Sequence, residues 1–284
     1  MKIKLCFPLI FLAPAIAAFG ADASPVAQDD AGQSAYTSGW TNGSNGGTGF
    51  GNWVFQTLTG DGNSSAGFYV ATASDHPDLK DAAKDGKAFG LYANGVNFEV
   101  ASAFRPFSTP VATGQSVTVT WETDVFAKKF DTDSDAKGSV GITLRSGTDA
   151  SSIEDYNKGA RFEFGTYAGL ADYQIYDGGD DHDSGVLFSG GTVKLKFTLT
   201  GPDTYDLEVT TLPDGKVKTL SGRKLGGTAG GSIDSLCIFN RNWEKSDAYF
   251  NGLAVQPASP AANSSASPSP SASPDKPQQS GTGH

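Results

Sequence analysis

Carboxylates lie on the faces of two predicted strands, and paired carboxylates are the groups that cleave glycosidic bonds. Glu122 and Asp124 share one face of a predicted strand, and Glu163 shares a face of another with Arg161. Glycoside hydrolysis requires two carboxyl groups about 5–9.5 Å apart. The sequence therefore allows a polysaccharide-cleaving site that uses Glu163 with Glu122 or Asp124. The alternative is that these carboxylates are solvated, as exposed strand positions commonly are.

Aromatic and polar side chains near strand ends are candidates for sugar binding. An aromatic ring covers the apolar face of a pyranose, and nearby amide or charged groups bond to its hydroxyls. Trp243 is the best exposed aromatic, because polar residues flank it, and the segment 40–53 is a further candidate. Trp53 and Trp121 alternate in phase with apolar residues, so we expect them in the core. The candidate carbohydrate-binding residues are Trp243, Asn240, Arg241, Asn242, Arg161, Gln174 and Tyr176.

A loop with regularly spaced aspartates points to a metal ion. Asp131, Asp133 and Asp135 occupy positions 1, 3 and 5 of an EF-hand-like loop, and Ca²⁺ takes oxygen ligands from such loops. The loop lacks a glycine at position 6, and its position 12 is Ile142 instead of glutamate. The hypothesis is a calcium site, and the alternative is a polar hairpin tip. A second acidic cluster lies at 180–183.

Other catalytic classes lack their motifs in this sequence. There is no Gly-x-Ser-x-Gly elbow, and zinc would require several closely spaced His or Cys residues. Cys237 lies in an apolar strand pattern and is expected to be a buried hydrophobic residue. The sequence favours binding over catalysis, and calcium is the one cofactor that it indicates.

The N-terminus has the layout of an export signal. Lys2 and Lys4 precede an apolar run from Leu5 to Ala18, and small residues with an A-x-A site follow. We expect residues 1–23 to be a signal peptide, with no membrane insertion after cleavage and an extracellular, cell-surface or periplasmic location. The chain has 31 acidic and 21 basic residues, a net charge of −10, which disfavours nucleic acid as a partner.

The rest of the chain reads as one domain with flanking segments. We expect a short linker at 24–35, a folded domain at 36–256 and a disordered Ser/Pro/Ala-rich tail at 257–284. Within the domain, apolar and polar residues alternate with period two between turn residues, as in the segment 192–200. Helical spacing is absent, apart from a turn or two at 78–84. This pattern predicts about a dozen antiparallel strands in an all-β sandwich of the jelly-roll type.

Three phrases of the sequence carry a family resemblance. They are SGWTNGSNGGTGFGNW at 38–53, AFGLYAN at 88–94 and DAYFNGLAV at 247–255. Together they resemble exported bacterial proteins with a concanavalin A-like jelly-roll domain, many of which carry a PEP-CTERM sorting signal. The closing phrase also resembles one found in carbohydrate-binding sandwiches, which implies a glycan partner. The tail here lacks the Pro-Glu-Pro signal, so the resemblance does not imply anchoring by that route.

A second resemblance concerns the carboxylates of the first predicted strand. Glu122-x-Asp124 is similar to the start of the Glu-x-Asp-x-(x)-Glu motif of laminarinase-type hydrolases. Phe126 and Ala127 stand where the second glutamate would be, so the acid/base is missing. The leading hypothesis is therefore a secreted or cell-surface carbohydrate-binding protein that recognises an extracellular or envelope polysaccharide. The alternatives are a glycoside hydrolase and a structural surface protein without a small ligand.

Overall fold

The fold is a two-layered antiparallel β-sandwich. The computed structural model describes residues 24–60, 65–94, 99–124, 138–152, 158–241 and 247–259. Within these ranges the one helical segment is a 3₁₀ turn at Ser34–Tyr36, and no helix is long and apolar enough to cross a membrane. The predicted all-β, jelly-roll fold class is confirmed. The predicted signal peptide and nearly all of the predicted tail lie outside the described residues.

One layer is an eight-stranded sheet. Along it the strands follow the order β13-β12-β11-β6-β15-β4-β3, and β1 pairs with β15. Its strands are β1 (Ala27–Asp29), β3 (Ser65–Thr72), β4 (Lys87–Asn94), β6 (Ser116–Thr123), β11 (Gly191–Gly201), β12 (Thr204–Leu212), β13 (Val217–Lys224) and β15 (Ala248–Gln256).

The other layer is a seven-stranded sheet. Its order is β10-β9-β8-β7-β14-β5-β2, so β10 and β2 are its edge strands. Its strands are β2 (Val54–Leu58), β5 (Val100–Pro106), β7 (Ser139–Arg145), β8 (Ala160–Tyr167), β9 (Asp172–Tyr176), β10 (Asp183–Leu187) and β14 (Ser235–Arg241).

The period-two pattern buries one face of each sheet against the other. In β8, Phe162 and Phe164 point into the space between the layers, where Phe162 contacts Tyr205 and Phe164 contacts Trp121 of the opposite sheet. Successive strand residues face opposite sides, so Glu163 lies on the outer face of the seven-stranded sheet. The sandwich thereby presents two outer faces on which functional side chains can lie.

The domain begins earlier than the sequence predicts. Residues 24–35 are not simply a linker, because β1 pairs with β15 there and Asp29 at its end is buried. The carboxylate of Asp29 lies 2.8 Å from the guanidinium of Arg105, and both side chains are fully buried. The glycine-rich loop packs closely here, since a Cβ on Gly46 would lie 2.5 Å from the ring of Tyr36. The first residues of the domain are therefore part of its core.

Candidate functional site

The outer face of the seven-stranded sheet brings several predicted residues together. Glu163 of β8 pairs in register with Tyr176 of β9, and Gly165 pairs with Gln174. Cross-strand partners share a face, so these side chains lie on one surface. Arg241 ends β14 near this surface, and its charge acts on Glu163. Strand alternation predicts that Glu163, Gln174 and Tyr176 lie on one face of their own strands, and the pairing of β8 with β9 brings them together.

Three rings form the exposed part of this surface. The rings of Tyr167 and Tyr176 lie edge to face with centroids 5.1 Å apart, and His182 lies 4.7 Å from Tyr176 at an interplanar angle of 34°. Nδ1 of His182 is 2.9 Å from the carbonyl oxygen of Ile175, which orients the imidazole. Tyr176 is 39% exposed, so its ring is accessible to a ligand. We call Glu163, Tyr167, Tyr176 and His182 the Tyr176 site.

The buried carboxylate of Glu163 is hydrogen-bonded to one of the rings. Its carboxylate accepts hydrogen bonds from the Thr143 hydroxyl, at 3.1 Å, and from the Tyr167 hydroxyl. Burial raises the pKa of the Glu163 carboxyl, and the two hydrogen bonds and the charge of Arg241 oppose this only in part. Burial also raises the pKa of Tyr176, and the Glu163 charge adds to the effect. The Tyr176 hydroxyl therefore stays protonated at neutral pH and can donate a hydrogen bond.

Asp177 fixes the end of β9 and so holds Tyr176 in place. Its carboxylate accepts hydrogen bonds from Arg223 Nε at 2.8 Å, from the Tyr205 hydroxyl at 2.5 Å and from the Gly179 amide at 2.8 Å. Burial would raise the pKa of Asp177, but the hydrogen bonds from Arg223 and Tyr205 outweigh it and hold the pKa below its usual value. Because Tyr205 and Arg223 belong to the opposite sheet, this link ties the end of β9 to that sheet.

Two of the predicted sugar-binding residues have structural contacts instead. Arg161 is 1% exposed, and its guanidinium donates to the carbonyl oxygens of residues 202, 226 and 228 and to Asp203. Asn240 is fully buried on the inner face, where its amide donates to the Leu91 carbonyl at 3.2 Å. The prediction that these two side chains contact a sugar is wrong, because their polar groups secure loops and strands.

The other predicted sugar-binding residues have different outcomes. Gln174 is largely buried, and its amide donates to the Asp172 carbonyl at 2.9 Å, while Arg241 is half-buried. Asn242 and Trp243 lie outside the described residues. Trp40 is 2% exposed, so the segment 40–53 does not present this ring to a ligand. Of the aromatic candidates within the described part, only Tyr176 is well exposed.

The predicted catalytic carboxylates are not brought together. Glu163 lies on the outer face of the seven-stranded sheet and Glu122 on the outer face of the eight-stranded sheet, beyond the whole core. One oxygen of Glu122 accepts two backbone hydrogen bonds, from Lys80 at 3.0 Å and Ala82 at 3.1 Å. Asp124, two residues beyond Glu122, follows the same strand. Stacked sheets lie about 10 Å apart, so Glu163 cannot share a glycosidic bond with either residue.

The described residues offer no side-chain cluster suited to a metal ion. Where the structure describes the chain, no three His, Cys, Asp or Glu side chains lie close enough to hold one, the segment 180–183 included. The predicted ligands Asp131, Asp133 and Asp135 lie outside the described residues, so calcium stays a prediction. Cys237 is fully buried, as the strand pattern predicts, and burial raises the pKa of its thiol.

Sequence reasoning missed two members of the Tyr176 site. Tyr167 lies four residues after Glu163, so strand alternation places both on one face, and this signal was available. His182 lies in a turn, and its contact with Tyr176 depends on how the turn folds back. No sequence pattern indicates that contact.

Comparisons with known proteins identify similar architectures. No family model matches the chain, and no curated protein matches it by sequence. The Emp47p carbohydrate recognition domain is 13% identical, with a TM-score of 0.45 over 84% of this chain and all of that one. The lectin UEA-II in complex with galactose is 10% identical, with a TM-score of 0.42, and the match covers 83% of this chain and 99% of the lectin chain. A Bacillus subtilis protein of unknown function with a galectin-like fold is 11% identical, with a TM-score of 0.38, and the match covers 72% of this chain and 88% of that protein's chain.

Proposed function

We propose that this protein binds a polysaccharide outside the cell or in the cell envelope, through the Tyr176 site. The observation that carries the proposal is the strip of three aromatic rings next to the buried carboxyl group of Glu163. Aromatic rings give apolar contact area with little conformational freedom to lose, and a few placed polar groups orient the ligand. Export, which the N-terminal segment predicts, belongs to the same proposal.

The charges around the site indicate the class of polysaccharide. Asp172, Asp180, Asp181 and Asp183 lie on the same strands and turn as Tyr176 and His182, and the whole chain carries a net charge of −10. Such a surface repels uronate and sulfate groups. We therefore propose that the ligand is neutral, with hydroxyl groups that bond to the Tyr176 hydroxyl.

Polysaccharide binding by aromatic variants tests this proposal. We expect the wild-type protein to be retained on at least one neutral polysaccharide in a panel, and Tyr176→Ala to weaken that binding by about tenfold or more, equivalent to about 1.4 kcal/mol. Tyr176→Phe keeps the ring and should retain most of the affinity. Tyr92→Ala, which removes a half-buried ring from the opposite outer face, is the matched control and should bind as the wild type does.

Two results would contradict the proposal. One is that no polysaccharide in the panel, neutral or acidic, retains the folded protein. The other is that Tyr176→Ala binds with unchanged affinity. Release of reducing sugar from the bound polysaccharide would favour the hydrolase alternative instead, although the structure assembles no pair from Glu163 with Glu122 or Asp124.

A further inference from the structure

A cleft of about 570 Å³ lies where the edges of the two sheets meet. β10 is the edge strand of the seven-stranded sheet, β13 is the edge strand of the eight-stranded sheet, and the two are in contact. The cleft extends from these strands to the start of β11 and the end of β12. Its volume falls within the range of about 300–1,000 Å³ typical of small-molecule sites. It is separate from the Tyr176 site, whose residues do not line it.

The inner wall of the cleft is apolar. Tyr173 and Val186 from one sheet and Val193 and Val209 from the other line it, and each is at most 7% exposed. At the mouth, Leu187 is 64% exposed and Val217 is 58% exposed. The cleft therefore suits a ligand with an apolar body.

Lys218, an exposed residue of β13, gives the cleft a positive charge. It pairs in register with Val209, so it lies on the inward face of β13. Its ammonium is 3.2 Å from the position that a Cβ on Gly185 would take, so it lies against β10. Among the described residues it makes no ion pair. Lys216, by contrast, is paired with Asp214 at 2.8 Å.

The remaining charges lie away from Lys218. Glu122 also lines the cleft. It pairs in register with Thr192 of β11, which pairs with Leu212 of β12, and Leu212 lies three residues along β12 from Val209. Its carboxylate already accepts two backbone hydrogen bonds. Lys80 and Asp81, which carry opposite charges, also line the cleft. Of the lysines that line the cleft, Lys218 is therefore the one that borders the apolar wall.

We propose that this cleft binds a small amphipathic anion, with its apolar body against Tyr173, Val186, Val193 and Val209 and its negative group at Lys218. A single carboxylate or sulfonate on an aliphatic or flat apolar body has the matching chemistry. An inward-pointing lysine on an edge strand also protects a sheet from edge-to-edge association. That protective role alone predicts no ligand, so a binding measurement separates the two.

Titration with decanoate tests the proposal on the full chain. Trp121 lies 5.5 Å from the Tyr173 ring, so its fluorescence should report occupation of the cleft, with calorimetry as a second readout. We expect decanoate to bind and decyltrimethylammonium, with the same chain and the opposite charge, not to bind. Lys218→Gln should weaken decanoate binding by about tenfold and leave decanol binding unchanged.

Charge variants at the mouth provide a test that does not disturb the wall. Val217 is exposed, so Val217→Glu should fold normally and weaken decanoate binding, while Val217→Lys should strengthen it. Lys194→Ala, on the outer face of β11, is the matched control and should leave the affinity unchanged. The proposal is wrong if decanoate does not bind, or if decanoate and decyltrimethylammonium bind equally and Lys218→Gln has no effect. Neither result bears on polysaccharide binding at the Tyr176 site.

Discussion

Arg105→Leu is expected to lower the free energy of unfolding by about 3–5 kcal/mol, because it leaves the Asp29 carboxylate buried without its cation. Both side chains are fully buried, and the guanidinium also donates to Asn45 at 2.7 Å and to the Tyr36 hydroxyl at 3.3 Å. It lies over the Trp53 ring at 4.6 Å. Urea denaturation followed by tryptophan fluorescence measures the loss.

The double variant Arg105→Leu/Asp29→Leu provides the internal control. Replacing both members of a buried pair by apolar residues is often neutral or stabilising, so the double variant should recover much of the lost stability. The neighbouring pair of Lys84 and Asp30 is exposed on the lysine side, and Lys84→Ala should cost at most about 1 kcal/mol. A loss below about 1 kcal/mol for Arg105→Leu would show that this pair does not hold β1 in the domain.

Trp121→Ala should lower the free energy of unfolding by about 3–5 kcal/mol. The indole lies between the layers, stacked on Phe250 with centroids 5.8 Å apart and edge to face with Phe164 at 6.0 Å. It is 1% exposed, so its removal leaves a cavity that its neighbours fill only in part. Thermal and urea denaturation measure the effect.

Trp121→Phe separates packing from fold disruption. It keeps an aromatic ring at the centre of the core and should cost clearly less than the alanine variant. If Trp121→Ala unfolded with nearly the wild-type free energy, the two layers would not pack around this residue. The placement of both outer faces would then be in doubt as well.

The strands were largely predictable from the sequence. β11 and β12 follow the alternation of Val193 to Leu199 and Tyr205 to Val209 to within three residues at each end, because one face of each strand is buried. β1 was not predicted, since three residues are too few to show a period. Its identity as a strand comes from pairing with β15, which is distant in the sequence.

The candidate site was predictable only in part. Alternation correctly places Glu163 and Tyr176 on outward positions, and the pairing of β8 with β9 then makes them neighbours. Arg161 has the same parity as Glu163, yet loops fold over it and take up its hydrogen bonds. Period two identifies a face but not what covers that face. The predicted catalytic pair of Glu163 and Glu122 was wrong for a related reason, because sequence spacing does not reveal which sheet a strand joins.

Hydrogen exchange with and without bound polysaccharide tests the central claim most directly. With the best-binding neutral polysaccharide of the panel, we expect slower exchange at the amides of β8, β9 and the turn that carries His182. Exchange in β11, β12 and β13 of the opposite sheet should be unchanged. Protection confined to any other region, with β8 and β9 unaffected, would show that the Tyr176 site is not where the glycan binds.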